Sequence, residues 1–156
     1  FKGEIIMNNT SATGNYYNIK AVTLITGLTD RTIRNYISLG ILEGEKINGL
    51  WHFTPAQVES FIRHPAVRPS IQAKNNAIVY DFLLDTSKKE PAVCIILDLP
   101  DADPKETAEF FMYAINNGTE FRDLEFSFDA VYETPRVILK GSVGQIMNLV
   151  NRYYQQ

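Results

Sequence analysis

The residues of this chain that could act on another molecule gather in one stretch, TDRTIRNYIS at positions 29–38. On a helical wheel, Ile33, Tyr36 and Ile37 fall on one side, and Arg31, Arg34, Asn35 and Ser38 on the other. A short helix with an apolar back and an Arg/Asn/Ser front suits a DNA major groove. Arginine forks match guanine edges and phosphates, and an asparagine amide matches adenine. The same pattern also fits a solvated polar face on an ordinary surface helix, so the neighbouring elements decide the reading.

Other chemistries find less support. Two histidines and one cysteine, Cys94, leave no metal-ligand cluster to be assembled by spacing. Asp98, Asp101 and Asp103 stand close together in LDLPDADP, but the Gly and terminal Glu of a calcium loop are missing, and Asp103 before Pro104 reads as a helix N-cap. No G-x-S-x-G, P-loop or dinucleotide fingerprint occurs. Without converging carboxylates or a Cys/His pair, the chain is not read as an enzyme, and no cofactor is expected.

The elements that must carry the polar stretch can be read on either side of it. Ala21, Val22 and Ile25 share one face of a helix over 19–25, which Gly27 ends. Thr29 N-caps a second helix, about Asp30 to Leu39, and Gly40 stops it. In ILEGEKINGLWHF, two β-prone segments flank Asn48-Gly49, the strongest short hairpin signal. Thr54 and Pro55 then open a helix with Val58, Phe61 and Ile62 on its buried stripe. Trp51 either lies along a sugar-phosphate edge or packs the hairpin onto that helix, with packing the favoured role of a large aromatic. His52 is expected to make an ordinary polar contact from the other strand face, and His64 to end the helix. The candidate DNA-facing set is Arg31, Thr32, Arg34, Asn35, Tyr36 and Ser38, with Lys46 and Asn48 from the hairpin.

Helix, turn, helix, hairpin and helix follow in the order of a winged-helix DNA reader, whose wing adds phosphate contacts. Here the sequence resembles the DNA-binding domain of MerR-type transcriptional regulators. The residues that carry the likeness are Gly27, Thr29, Arg31, Thr32, Ile33, Arg34, Tyr36, Gly40, Ile41, Leu42, Phe53 and Thr54, within residues 17–64. The resemblance implies that Arg31, Arg34 and Tyr36 lie at the DNA backbone or groove. The chain departs from the family in three places. Gly49-Leu50-Trp51 stands where family wings read Gly-Tyr-Arg. Asn35 replaces the first of two tyrosines. The helix expected over 70–85 is too short for the long coiled coil through which the family pairs its subunits. A second reading therefore stays open: a protein-interaction adaptor of winged-helix shape with little DNA affinity.

Downstream, HPAVRPS reads as a linker by its two prolines, and Ser70 as the cap of a connecting helix to about Asp85, with Ile78, Val79, Phe82 and Leu83 on one side. DTSKKEP marks a second boundary. AVCIILDL reads as a buried strand, with Cys94 a small buried hydrophobe. DPKETAEFFMYAINNG is a helix presenting Ala108, Phe111, Ala114 and Ile115. In LEFSFDAVY, Leu124, Phe126, Phe128 and Ala130 alternate with Glu125, Ser127 and Asp129. RVILKG is a third strand after Pro135, and the last helix aligns Val143, Ile146, Met147 and Val150. The expected fold is α+β: a winged helix-turn-helix over 17–64, a linker and connecting helix over 65–90, and a small β-α-β-β-α domain over 91–156.

The 156 residues are 45% apolar, enough for a packed core. The net charge of −3 comes from the C-terminal part, where ten acidic residues face five basic ones over 91–156. Over 17–64, five basic residues stand against four acidic. A near-neutral segment still binds an anion if its arginines share a face. No apolar run spans a membrane, and the start, FKGEIIMNN, lacks the regions of a signal peptide, with Met7 an alternative start. The expected setting is the cytoplasm, and the expected partners are double-stranded DNA and a second copy bound through the C-terminal domain. A small-molecule effector depends on whether Tyr113, Phe126, Phe128 and Tyr132 line a pocket or fill the core.

Overall fold

The computed structural model describes residues 16–131 and 133–156, so Met7 and Tyr132 lie outside the described residues. The fold mixes α and β with two separate antiparallel sheets. Helix α1 (Ile19–Thr26) starts where the Asn18 side chain accepts from the Ala21 N–H at 2.8 Å. It ends at Gly27, whose φ of 72° is left-handed. Thr29 caps α2 (Asp30–Ser38) by accepting from the Thr32 N–H. The hairpin β1 (Glu45–Ile47) and β2 (Leu50–His52) turns through Asn48 and Gly49, with φ of 51° and 80°, as a twisted two-residue turn requires. Thr54 and Gln57 form a reciprocal capping box at the head of α3 (Pro55–Arg63), with Pro55 where no N–H is needed.

Helix α4 (Arg68–Leu84) departs from expectation at both ends. It starts before Ser70, after Val67, and no side chain caps it. Pro69 sits in the first turn, where a missing N–H costs nothing, so the prolines of HPAVRPS mark a helix start and not only a linker. Its fully buried positions are Ile71 and Asn75, following Val67 at intervals of four. Ile78, Val79 and Phe82 are only half-buried and Leu83 is exposed, because the second half of the helix runs past the core.

The second sheet has the order β3 (Ala92–Asp98), β5 (Thr134–Ser142), β4 (Glu125–Val131), antiparallel throughout. Helix α5 (Pro104–Asn117), capped by Asp103, precedes a single 3-10 turn at Thr119–Phe121. Helix α6 (Val143–Gln155), capped by Ser142, closes the chain. Phe126 and Phe128 point to the α5 side, and Phe126 stacks on Phe111. Two expectations are corrected here. Among the described residues β3 is an edge strand, at most half-buried, with β5 covering one of its sides. On α6, Ile146 and Leu149 are buried while Val143 and Met147 are exposed. On the polar face of β4, Ser127 and Asp129 are buried under α4 while Glu125 stays exposed. One hydrophobic core runs from Tyr17 to Leu149, joining α1, α2, α3 and α4 to the sheet and its helices.

Candidate nucleic-acid interface

α2 is held from behind at three points. Ile33 is fully buried beneath it. The turn before it, at Gly27, lies against α4, where a side chain at 27 would meet Lys74 Cβ at 3.4 Å. Tyr36 packs edge-on to Phe61 of α3, ring centroids 5.4 Å apart, and its hydroxyl lies 3.3 Å from Ser70 Oγ and donates to the Ala66 carbonyl at 3.5 Å. The Tyr36 carbonyl accepts from the N–H groups of Ile41 and Leu42, which fixes the chain leaving the helix. The hairpin is tied down separately. Tyr17 and Phe53 exchange backbone hydrogen bonds at 2.7 and 2.8 Å, so β2 is anchored to the segment that opens α1.

With the back fixed, Arg31, Arg34, Asn35 and Ser38 stand exposed. Arg31 has no ion-pair partner among the described residues. Arg34 Nε donates to Asp30 Oδ1 at 2.6 Å, a pair in which both side chains are more than half exposed. Such a pair contributes about 0.3–0.5 kcal/mol and is screened by salt, so it leaves Arg34 available to a stronger anion. Ser38 Oγ donates to the Arg34 carbonyl, and Asn35 faces solvent.

The other sequence candidates are placed differently. Thr32 is half-buried within the cap: its N–H donates to Thr29 Oγ1, and the two hydroxyls are 2.9 Å apart. Tyr36 follows the apolar side of the wheel and lies on the seam between α2, α3 and α4. Lys46 is exposed, its Nζ 5.8 Å from the Trp51 ring centre, and Asn48 is exposed in the turn. No hydrogen bond or ion pair joins either of them to α2 among the described residues. Trp51 is half-buried and stacks on Phe53 of its own segment with ring planes 6° apart. His52 is buried beside the Tyr16 ring, and its Nδ1 has no hydrogen-bond partner among the described residues.

Sequence reasoning missed Ser70 and the Ala66 carbonyl as the anchors of Tyr36. The available signal was the wheel, which grouped Tyr36 with Ile33 and Ile37 and so asked for a partner inside the fold. A cavity of about 580 Å³ lies between α3 and the start of α5, floored by Val58, Ile62 and Phe128 and edged by Glu59, Arg63 and Asp101. Of the aromatics considered for a ligand pocket, Phe128 reaches it. Phe126 sits in the core, and Tyr113 is exposed on α5. No helix among the described residues is long and apolar enough to cross a membrane. Comparison with known proteins gives no match to a family model, a curated protein or a solved structure.

Proposed function

We propose that this chain is a DNA-binding transcriptional regulator of the MerR type that reads duplex DNA with α2 in a winged helix-turn-helix arrangement over 17–64. The observation that carries the reading is the division of α2. Arg31, Arg34, Asn35 and Ser38 form its exposed front, while Ile33 and Tyr36 anchor its back to α3 and α4. A rigid back matters because side chains on a fixed backbone lose less freedom on binding. In this reading Arg31 and Arg34 meet phosphates or guanine edges, Asn35 meets adenine, and the hairpin with Lys46 and Asn48 lies along the backbone as the wing. Thr32 and Tyr36 hold the helix in place for those contacts. The protein works in the cytoplasm, as a dimer formed through the C-terminal sheet, without a catalytic role or a cofactor. The cavity beside α3 is where a small-molecule effector would meet the DNA-binding segment.

The test is binding of the full chain to a library of genomic duplex fragments at two salt concentrations. Selective binding that weakens steeply as salt rises is the expected result, because phosphate contacts release counterions. A folded protein with no affinity for any duplex at low salt would overturn the reading and leave the adaptor role.

A further inference from the structure

We propose that β3 is the contact through which a second copy of this chain docks, edge to edge and antiparallel, making one continuous six-stranded sheet. The inference rests on the dimeric reading above and is independent of DNA binding. Its basis is an edge that the described residues leave open. β4, at the other edge of the sheet, is packed against α1. Among the described residues, β3 pairs with β5 on one side only. Natural edge strands are blunted by charge, proline or a bulge. From Ala92 to Leu97, β3 carries no charge and no proline, and its register with β5 is unbroken.

The phase of the hydrogen bonds fixes how a copy would fit. The Leu99 N–H donates to the Pro135 carbonyl at 2.9 Å, and the Pro91 carbonyl accepts from Val143 at 3.3 Å. Odd-numbered residues therefore spend their backbone groups on β5. Ala92, Cys94, Ile96 and Asp98 direct theirs outward. A two-fold axis at Ile95 sets Cys94 opposite Ile96 of the second copy and Ala92 opposite Asp98, so every outward group finds a partner. Pro91 and Pro100 fall just outside the paired length.

Charge favours the same arrangement. An antiparallel pair brings the start of one strand to the end of the other. The start follows Lys88 and Lys89, with Glu90 between them and the strand, and the end leads into Asp101 and Asp103. Lys88 is occupied with the carbonyls of Phe82 and Asp85, Asp103 caps α5, and Asp98 is paired with Arg136. Lys89 and Asp101 have no ion-pair partner among the described residues, and the two-fold brings them together. Apolar area completes the surface. Ile96 is 52% exposed, and the end of α4 carries Tyr80, Leu83 and Leu84 at 62, 67 and 76%. α4 lies on the same face, since its Arg68 and Asn75 meet Asp129 and Ser127, which stand in register through Arg136 and Ile138 with Asp98 and Ile96. A stable pair buries about 800 Å² per partner, more than a strand edge alone supplies.

The experiment is the solution mass of the full chain at tens of micromolar, with four variants. The wild type should sediment as a dimer and Ile96→Lys as a folded monomer with an unchanged circular dichroism spectrum. Lys89→Glu should weaken the dimer, and Lys89→Glu with Asp101→Lys should restore it. Ile96→Cys, oxidised, should give a disulfide-linked dimer through Cys94 of the other copy, since directly opposed residues lie within disulfide reach. A monomeric wild type overturns both this inference and the dimeric reading. A dimer untouched by Ile96→Lys and without the cross-link overturns this inference alone, leaving another face.

Discussion

Arg68 on α4 grips both carboxylate oxygens of Asp129 on β4, Nη1 to Oδ1 at 2.6 Å and Nη2 to Oδ2 at 2.8 Å. Asn75, two turns along the same helix face, donates to that carboxylate at 3.5 Å and accepts from the Ser127 hydroxyl. The pair joins α4, which braces α2, to the C-terminal sheet. Asp129 is buried, so removing its partner strands a charge. Arg68→Ala is expected to cost about 3 kcal/mol, and to lower Tm by roughly 6–12 °C in a chain of this size. Arg68→Met with Asp129→Leu should recover most of that loss, because no charge is left unpaired. Thermal melts of the single and double variants check this. A double variant as unstable as the sum of the two singles would show that the pair is not coupled.

A second buried acid gives a pH dependence. Glu109 is buried and accepts from the Tyr17 hydroxyl at 3.2 Å. Burial raises its carboxyl above the ordinary range, against the opposing pulls of Lys105, 3.9 Å away, and of the Tyr17 hydrogen bond. The folded chain thus keeps this proton to higher pH than the unfolded chain. Its contribution to stability falls as pH rises from the ordinary value, about 4.3, through the raised one. Glu109→Gln keeps an acceptor for Tyr17 and removes the buried charge. The variant should melt above the wild type near neutral pH, and the gap should close as pH approaches the ordinary carboxylate value. A variant that melts below the wild type near neutrality would show that Lys105 outweighs desolvation.

What the sequence made legible was local chemistry. Gly27, the Asn48-Gly49 turn, and the caps Thr29, Thr54 and Asp103 each act within a few residues, and the structure has all of them. Long-range cover was hidden. Ser127 and Asp129 alternate like solvent-facing residues, and only the placement of α4, with Arg68 and Asn75 spaced to meet them, makes that face interior. The apolar run AVCIILDL implied a buried strand, yet strand order put it at an edge. At the candidate interface, the polar front of α2 was visible by periodicity. The anchoring of Tyr36 was not, since its partners lie 30 and 34 residues away.

That anchoring separates two roles for Tyr36. Tyr36→Phe keeps the ring against Phe61 and removes the hydroxyl from Ser70 and the Ala66 carbonyl. Both contacts are long, so the expected loss of stability is about 0.5–1 kcal/mol. If Tyr36 acts by holding α2, Ser70→Ala should shift both Tm and DNA affinity in the same direction as Tyr36→Phe, and the pair should be non-additive. An affinity loss in Tyr36→Phe with none in Ser70→Ala would mean that the hydroxyl touches DNA directly. Melting curves and duplex titrations on the three variants distinguish these outcomes.

The front of α2 gives the last expectation. Arg34 is mid-helix and Arg31 lies in the first turn. The more firmly fixed position should contribute more to binding, because less side-chain freedom is lost. Arg34→Ala is therefore expected to weaken operator binding by roughly 5- to 150-fold at fixed salt, and more than Arg31→Ala. Neither change should move Tm by much, since both side chains are exposed. The Asp30–Arg34 pair adds a sign that the wheel alone does not supply. Asp30 holds Arg34 back and brings a negative charge to the surface that would meet phosphates. Asp30→Asn should thus strengthen DNA binding while Arg34→Ala weakens it, and in the Arg34→Ala background the gain should shrink to the phosphate-repulsion part. Titrations of one operator with the wild type and these four variants at two salt concentrations measure this. Equal and negligible changes in all the folded variants would mean that α2 does not read DNA, and the adaptor reading would stand in its place.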